Sequence, residues 1–392
     1  MWKITSRIKR ESLKVIIISC GDSGIAIGAG IIQNLKDHKV KVNGLAITTE
    51  FDESDSSELF DETFRIEGSR DGFAKNFEAA YESAKSDETK ITTRLRKLLG
   101  KSFEGLVLVT TGSGATGLGA TLVTLQILAS SFDLHPPVIT LLPEIFENSR
   151  VQYNAATFLY EVVYKEDGLN NPVLILDNRP ALDEMELEFS EVSRKRIETI
   201  PDALGDLLIA SFEKSVSDEF DANVADLFTV MHTAGISVFV SENLGDESGN
   251  VDSARIEDVI SDSVIDTTNL TKDKIFEAKN AFISIFNIDQ TGGKLSFQTE
   301  FETQKLFREF RNSNPHVKFV SMKDHGKQTK TPKLRAIIAG LPVPTRILQI
   351  MRIAQESRKR VILKENMLAN QVVQLDVDQV TKLEDQIQKY FS

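Results

Sequence analysis

Continuous apolar runs alternate with segments of helical spacing through the first half of the chain. The runs cover Val15–Ser19, Gly44–Thr48, Leu106–Val109, Val138–Leu142 and Val173–Leu176. Runs of this kind are typical of parallel strands that are covered on both faces. Helical periodicity falls between them, over Ile25–Leu35, Phe77–Leu99, Thr121–Ser130 and Ser149–Val163. The pattern predicts an α/β, Rossmann-like doubly wound domain, whose ligands bind beyond the carboxyl ends of the strands.

The pattern changes in the second half, after a long helical segment at about Val192–Ser215. Strand-like stretches cover Ile236–Val240, Ala281–Phe286, Val317–Val320 and Leu334–Ala339, and helical spacing covers Ala254–Ser263, Lys272–Ala278 and Glu300–Asn312. From Thr345 the chain is helical again, with apolar residues on one face. We therefore predict a nucleotide-binding-type domain over 1–191, a central helix over 192–218, a smaller α+β domain over 219–344, and a C-terminal helix and tail over 345–392.

Composition narrows the possible functions. The chain has 392 residues, enough for two domains, and a net charge of −12, which disfavours nucleic-acid binding by the whole body. It has one cysteine and five histidines, none at metal-ligand spacing, so we expect neither a disulfide nor a metal cluster. The sequence contains no run of about 20 apolar residues, which is the length that would predict a membrane span. These features predict a cytoplasmic protein.

Two glycine-rich turns carry the candidate chemistry. One, Thr110–Ala120, follows an apolar run and leads into a helical segment; the other, Cys20–Gly28, follows the first run. Glycines let the backbone approach a ligand closely, and the N–H groups and dipole of a helix start favour phosphate. The first turn lacks the Lys-Ser/Thr pair of a Walker loop. The turns therefore either flank one nucleotide or simply allow tight packing.

The glycine spacing of the Cys20–Gly28 turn distinguishes a mononucleotide-binding protein from a dinucleotide-binding one. Its glycines are spaced Gly21-x-x-Gly24-x-x-x-Gly28, whereas a dinucleotide-binding dehydrogenase has G-x-G-x-x-G in this turn. A dinucleotide oxidoreductase is therefore the weakest of the alternatives. Identification of the co-purifying nucleotide distinguishes it from the others.

The segment Ser113–Gly119 resembles the phosphate signature G-G-G-T-G-x-G of the tubulin/FtsZ superfamily, with Ser113 and Ala115 in place of two glycines. The turn that begins at Gly21 resembles the first phosphate loop of that family. Leu176–Pro180 resembles its base-recognising turn, and Phe64–Asn76 resembles its loop that faces the terminal phosphate. The resemblance covers nearly the whole chain, in the family's order.

The resemblance implies a GTPase that binds GTP or GDP with Mg²⁺ and polymerises head-to-tail with itself into filaments. The residues that it assigns to the nucleotide are Gly21, Asp22, Ser23, Gly24, Gly72, Asn76, Ser113, Gly114, Ala115, Thr116, Gly117, Glu147, Arg150, Asn178 and Asp202. Leu334–Arg346 is similar to the end of the globular body in TubZ, the plasmid and phage segregation branch. FtsZ-like division proteins and archaeal tubulin-like proteins are the alternative branches.

The family's catalytic acids come from the next subunit, in the pattern N-x-D-x-x-D. Here Asp221-Ala-Asn-Val-Ala-Asp226 stands in that place, so Asn223 replaces the middle acid. A carboxylate can accept a proton from the attacking water, whereas an amide can only position it. The resemblance thus implies hydrolysis that is slow or relies on Asp226 alone. The alternative makes Asp226 a solvent-facing helix residue and Asp221 an N-cap.

Several roles stay open at the level of sequence. Asp22 either helps to hold hydrated Mg²⁺ or points away from the phosphates, since a carboxylate repels them. Thr116 contacts phosphate or caps its helix, Arg150 reaches the nucleotide or lies along its helix, and Asp202 contacts guanine or is structural. The segment Val377–Phe391 docks on a neighbouring subunit, binds a DNA-binding adaptor, or folds back on its own chain. A degenerate, non-assembling nucleotide-binding scaffold is the second functional hypothesis.

Overall fold

The computed structural model of the chain describes residues 14–50, 56–68, 73, 75–100, 102–144, 147–166, 168–176, 201–209, 211–212, 222–243, 253–275, 277–286, 305, 308–309, 311–312, 314, 317–323 and 333–365. The strands in this part of the chain are β1 (Lys14–Cys20), β2 (Lys41–Thr48), β3 (Glu62–Arg65), β4 (Gly105–Thr111), β5 (Val138–Leu141), β6 (Val173–Leu176), β7 (Ile236–Asn243), β8 (Asn280–Phe286), β9 (Val317–Lys323) and β10 (Lys333–Leu341). The helices are α1 (Asp22–Asp37), α2 (Phe77–Ser86), α3 (Glu88–Leu99), α4 (Ala115–Phe132), α5 (Ser149–Leu159), α6 (201–209 and 211–212), α7 (Val224–Met231), α8 (Ser253–Thr268), α9 (Lys272–Ile275) and α10 (Thr345–Glu365).

These strands form one sheet in the order β3-β2-β1-β4-β5-β6-β7-β10-β8-β9. From β3 to β7 each pair is parallel, and β10 runs antiparallel to both of its neighbours. The order of the first six strands is that of a doubly wound sheet, and the direction of winding reverses between β1 and β4. This confirms the predicted α/β, Rossmann-like class. The predicted boundary between the two domains lies between β6 and β7, within a continuous sheet.

Helices cover both faces of the parallel part of the sheet. One face packs against α2 to α5 and α10, and the other packs against α1, α6 and α7. Every residue of β1 and of β4 is buried, as the continuous apolar runs predict. A third core lies between the antiparallel strands and the helices α8 and α9.

Two predictions about the elements need correction. The pattern over Phe77–Leu99 predicts one helix, but the structure has two, because Asp87 separates α2 from α3. The Asp87 carboxylate is buried and accepts hydrogen bonds from the Glu67 N–H, at 3.3 Å, and from the Lys90 ammonium, at 2.6 Å. The short edge strand β3 has no counterpart among the predicted strands, since only Phe64 of its four residues is buried.

The helix α4 is long and apolar enough, by length and composition, to cross a membrane. Two-thirds of it is buried inside the protein, where it packs against the sheet and against α2, α3 and α5. Its apolar character is therefore that of a core helix. It begins directly after the turn that follows β4.

The C-terminal helix α10 returns to the first half of the chain and packs against α5. Its buried residues are Ile347, Ile350, Met351 and Ala354, which confirms the predicted apolar face. At its start, the guanidinium of Arg346 is 3.5 Å from the carboxylate of Glu144, in the loop after β5, and both side chains are nearly inaccessible to solvent. This ion pair attaches α10 to the loop beside the glycine turn after β4.

The helix α7 lies at the amino end of the sheet. The ring of Phe228 covers Gly105, the first residue of β4, so closely that a Cβ at Gly105 would lie 1.9 Å from the ring. After α7 the chain turns at Gly235 and enters β7, whose first residue pairs with Val173 at the start of β6. Both contacts fix α7 at the end of the sheet opposite to the glycine turns.

We expect Gly105→Ala to lower the free energy of unfolding by about 1–3 kcal/mol, because the added methyl group overpacks against Phe228. In the double variant with Phe228→Leu, the smaller side chain should accommodate the methyl group. The two changes should then cost less together than the sum of their separate effects. Urea unfolding of the four proteins measures this, and strictly additive effects would contradict the contact.

Candidate functional site

The two glycine turns are in direct backbone contact at the carboxyl ends of β1 and β4. A Cβ added at Gly21 would lie 2.8 Å from the Cα of Gly117, and a Cβ at Gly117 would lie 2.8 Å from the carbonyl oxygen of Cys20. Gly21 also has φ +74°, a conformation that L side chains rarely adopt. Glycine is therefore needed at both positions for the turns to meet.

The helices that follow the turns begin side by side. Gly21 is the N-cap of α1 and Gly114 is the N-cap of α4, and neither helix start has a side-chain cap hydrogen bond among the described residues. Their first N–H groups therefore remain available to an acceptor from outside the chain. Two helix dipoles add their positive ends at this point, which favours an anion. Ser23 and Thr116, both half-buried, place hydroxyl groups at the same helix starts.

Asp22 is the first residue of α1 and is exposed. Its Oδ1 accepts a hydrogen bond of 2.7 Å from the hydroxyl of Thr48, at the end of β2. Thr48 therefore holds one carboxylate oxygen towards β2, on the side of α1 away from β4. The second oxygen has no hydrogen-bond partner within the described part of the chain, so it is available to a cation.

Cys20 ends β1 directly beneath the turns and is buried. Burial raises the pKa of its thiol to about 12, and hydrogen bonds with Thr121 and Thr124 only partly oppose this shift. The thiol is therefore protonated at neutral pH and does not act as a nucleophile. The two glycine turns and the starts of α1 and α4, at Gly21 and Gly114, form a concave site that we call the cradle. Cys20 fills the core under the cradle, as a small apolar side chain would.

A further part of the cradle comes from the chain before α2. The ammonium of Lys75 donates to the carbonyl oxygen of Ser113 at 3.3 Å. The carbonyl oxygen of Lys75 in turn accepts hydrogen bonds of 3.0 Å from Arg150 Nε and from Asn154 Nδ2, both on α5. The predicted site residue Arg150 thus contacts the chain before α2, which touches the glycine turn that follows β4.

Two other predicted site residues are engaged in local structure. Asn76 is the N-cap of α2, and its side chain accepts a hydrogen bond from the N–H of Ala79 at 3.1 Å. Glu147 Oε1 accepts from the N–H of Glu144 at 2.8 Å, within its own loop. The predicted residues Gly72, Asn178 and Asp221 lie outside the described residues.

Asp202 is not brought to the cradle. Its backbone carbonyl oxygen accepts a hydrogen bond of 3.4 Å from Asn34 Nδ2, near the end of α1. Asn34 lies about 18 Å along the helix axis from Asp22, at 1.5 Å per residue. The neighbouring Pro201 packs against Gly30, so the start of the described part of α6 contacts the second half of α1.

Asn223 and Asp226 form a reciprocal capping box at the start of α7. Asn223 Oδ1 accepts from the N–H groups of Ala225, at 2.8 Å, and of Asp226, at 3.3 Å. Asp226 Oδ2 accepts from the Asn223 N–H at 2.8 Å. The N-cap of α7 is therefore Asn223, and the alternative that gave this role to Asp221 is wrong, because the amide two residues further on makes the cap.

The cradle and Asp226 lie at opposite ends of the sheet. The seven residues of β4 run from Gly105, beneath Phe228, to Thr111, just before the cradle. At about 3.3 Å per residue this is a separation of about 20 Å. The carboxylate of Asp226 therefore cannot reach the cradle of its own chain.

Three residues of this site were not found from the sequence: Thr48, Lys75 and Asn154. The end of a predicted strand is a signal for Thr48, since side chains at that edge of a doubly wound sheet face the ligand. Lys75 lies within Phe64–Asn76, the segment that resembles the family's terminal-phosphate loop, although the resemblance assigns no role to Lys75 itself. Asn154 carries no local signal, because its contact with Lys75 joins segments that are far apart in the chain. Among the described residues, no group of three or more His, Cys, Asp or Glu side chains is placed to hold a metal ion.

Comparisons with known proteins agree with this arrangement. No protein-family model matches the chain. The tubulin-like protein TubZ of Bacillus cereus is 23% identical, over 93% of this chain and 88% of its own length. CetZ from Methanosaeta thermophila superposes with a TM-score of 0.67 at 17% identity, covering 97% of this chain and 99% of CetZ. A GTPγS-form protofilament of TubZ from Bacillus thuringiensis serovar israelensis gives a TM-score of 0.65 at 14% identity, over 91% and 94% of the two chains.

The likeness to the solved structures extends over most of the chain, 97% for CetZ and 91% for TubZ. The sequence similarity to TubZ covers 93% of the chain. The chain thus has the fold of the CetZ and TubZ structures, and by its sequence it is similar to TubZ over 93% of its length.

Proposed function

We propose that the chain is a GTPase that binds GTP at the cradle and assembles head-to-tail into filaments. The cradle presents two adjacent helix starts with free N–H groups, together with the hydroxyl groups of Ser23 and Thr116. These groups suit the α- and β-phosphates of a nucleotide, which need several donors and little side-chain charge. The guanine-nucleotide forms of the similar TubZ structures support the choice of base.

The separation between Asp226 and the cradle carries the proposal of assembly. An acid about 20 Å from the phosphates of its own chain, at the opposite end of the sheet, serves hydrolysis only when it belongs to another copy. Parallel stacking of two copies along the strand direction brings the amino end of one sheet against the cradle of the next. The protofilament form of TubZ supports this geometry.

The state of Asn223 and Asp226 indicates slow hydrolysis. In the proposed reaction the Asp226 carboxylate of the next copy positions a water and accepts its proton as the terminal phosphoryl group is transferred. One of its oxygens already accepts the Asn223 N–H, and the amide oxygen of Asn223 caps α7. A single carboxylate oxygen is thus left for the water, and Asn223 adds no base.

Mg²⁺ fits the same site. It commonly binds through one carboxylate and the phosphate oxygens and keeps several waters. Asp22 supplies one carboxylate at the rim of the cradle, with Thr48 holding its other oxygen. The ion would neutralise phosphate charge, and this would remove the repulsion between Asp22 and the triphosphate.

The biological role that we propose is segregation of plasmid or phage DNA in the cytoplasm. Its support is the sequence similarity to TubZ. A DNA-binding adaptor would attach through the segment Val377–Phe391, which lies outside the described residues. FtsZ-like division or an archaeal-type cytoskeletal role is the alternative, since CetZ superposes about equally well. A nucleotide-binding scaffold with weak hydrolysis is a second candidate, which the engagement of Asn223 in the α7 cap favours.

We expect Gly114→Ala to weaken GTP binding by about tenfold or more, because a methyl group there would occupy the space beside the free N–H groups of α4. In the free protein that space is open, and the nearest atom to the added Cβ is Thr111 Oγ1 at 3.8 Å. The unfolding midpoint should therefore stay within a few degrees of the parent. Gly100→Ala, at the end of α3, is the matched control. Calorimetric titration with GTPγS measures the effect, and unchanged affinity would rule out the cradle as the phosphate site.

We expect Asp226→Asn to lower GTP turnover by about a hundredfold while GTP-dependent pelleting persists, because the general base is lost and the contact surface is kept. The amide oxygen still accepts the Asn223 N–H, so α7 stays capped. Asp258→Asn on α8 is a control with the same charge change. Phosphate release and sedimentation measure the two effects.

Mixing the Asp226→Asn protein with the Gly114→Ala protein should restore GTP turnover. In mixed filaments the intact Asp226 of the Gly114→Ala protein faces the intact cradle of the Asp226→Asn protein. A parent chain that stays monomeric with bound GTP at every concentration would instead favour the scaffold. Equal turnover of parent and Asp226→Asn would exclude Asp226 from the reaction.

We expect Asn223→Asp to raise turnover several-fold, because it adds a second carboxylate to the acid segment. Aspartate is as good an N-cap as asparagine, so the stability of α7 should not change. Phosphate release at a fixed amount of pelleted polymer measures the effect without interference from assembly. Turnover at or below that of the parent would mean that the cap geometry, and not the missing acid, limits hydrolysis.

A further inference from the structure

The loop after β5 lies between the glycine turn that follows β4 and the start of α10. On the side of the turn, the N–H of Gly112 donates to the carbonyl oxygen of Leu141 at 2.7 Å, and a Cβ at Gly112 would lie 3.0 Å from Pro143 Cδ. On the side of α10, Nη2 of Arg346 donates to the carbonyl oxygen of Pro143 at 3.2 Å. The C-terminal helix therefore reaches the loop that borders the cradle.

The same arginine accompanies a buried charge of this loop. The guanidinium of Arg346 lies 3.5 Å from the carboxylate of Glu144, and both residues are buried. A carboxylate that is held out of water is costly unless a cation or several donors lie beside it. If the guanidinium were removed, the Glu144 carboxylate would regain solvation only by a movement of the loop away from α10.

Glu144 also connects the loop to α5. Its N–H donates to Glu147 Oε1 at 2.8 Å, and its carbonyl oxygen accepts a hydrogen bond from Nε2 of Gln152, which is fully buried on α5. Arg150, on the same helix, holds the chain before α2 through the carbonyl oxygen of Lys75. A movement of Glu144 would therefore disturb the loop and the helix that together border one side of the cradle.

We propose that Arg346, through its pair with Glu144, is a positioning residue for nucleotide binding. It keeps the loop after β5 against the glycine turn and thereby sets how long a bound nucleotide stays in the cradle. This inference rests on the proposed function, which places the nucleotide there. Arg346 acts from the side of the loop that faces α10, so the attachment of this helix regulates nucleotide release.

The rate of nucleotide dissociation from three variants tests the proposal. Arg346→Met removes the cation and keeps a long side chain, and the double variant with Glu144→Gln removes both charges of the pair. Met351→Ala is the control for lost packing of α10, because Met351 belongs to the buried face of the same helix. The measurement is a stopped-flow chase of fluorescent N-methylanthraniloyl-GDP by excess GDP, in Mg²⁺ and below the concentration that gives pelletable polymer. Urea unfolding gives the stability of each protein.

We expect Arg346→Met to accelerate nucleotide dissociation by about tenfold or more, because the Glu144 carboxylate then moves the loop towards water. The double variant should return to within about threefold of the parent rate, since a neutral pair leaves no buried charge to hydrate. Met351→Ala should lower the free energy of unfolding and keep the parent rate.

An unchanged rate in Arg346→Met would overturn the role of Arg346 and leave the proposed function standing. The same holds for an equal acceleration by Met351→Ala, or for a double variant that shows no recovery. A parent chain that binds no guanine nucleotide would overturn both the proposed function and this inference.

A second measurement uses the parent chain, so it does not depend on the folding of a variant. Coupling between two sites is reciprocal, so a bound nucleotide must in turn hold the start of α10 more firmly. Amide hydrogen exchange with and without GDP, followed by mass spectrometry, compares residues 345–352 of α10 with residues 253–260 of α8. We expect GDP to slow exchange in the α10 segment and to leave the α8 segment unchanged. Exchange in α10 that does not respond to GDP would contradict the proposal.

Discussion

The approach of the Gly21 and Gly117 backbones is the constraint on which the rest of the site depends. The two residues follow neighbouring strands at the point where the sheet reverses its winding, and each would clash with the other turn if it carried a side chain. Their contact brings the starts of α1 and α4 together. The N–H groups and dipoles of both helices then act at one place, where a single helix start would be a weaker anion site. The polar side chains at the rim are added to this backbone frame.

The frame also determines what one chain can do alone. The same strand that ends at the cradle begins under Phe228, so its length sets the distance between the cradle and Asp226 on α7. Under the proposed function, a single chain is incomplete as a hydrolase, and its two ends carry complementary halves of one site. Hydrolysis and association would then be linked by geometry, and the Asn223–Asp226 cap would leave one carboxylate oxygen of Asp226 for the neighbouring copy.

The sequence predicts most of the fold because its signals are local. Buried strands such as β1 and β4 are continuous apolar runs, and the glycines at Gly21 and Gly117 mark a turn whether or not the partner turn is known. The strand β3 was not predicted, because an edge strand needs few buried residues and so lacks an apolar run. The helix break at Asp87 was not predicted, because the Glu67 N–H that donates to its buried carboxylate lies 20 residues away in the chain. The position of Lys75 depends on hydrogen bonds from Arg150 and Asn154 of α5 to its carbonyl oxygen, and no sequence pattern predicts these contacts.

The attachment of α10 has a mechanical consequence. After β10 completes the second half, the chain crosses back, and the buried pair of Arg346 with Glu144 fastens the start of α10 to the loop after β5. Separating that pair would leave a charge in a poorly hydrated place, which resists extraction strongly. A load applied to α10 would therefore be borne by α5 and the parallel half of the sheet, and the antiparallel strands would carry little of it. Under the proposed function, tension transmitted through α10 would act on the loop beside the glycine turn that follows β4.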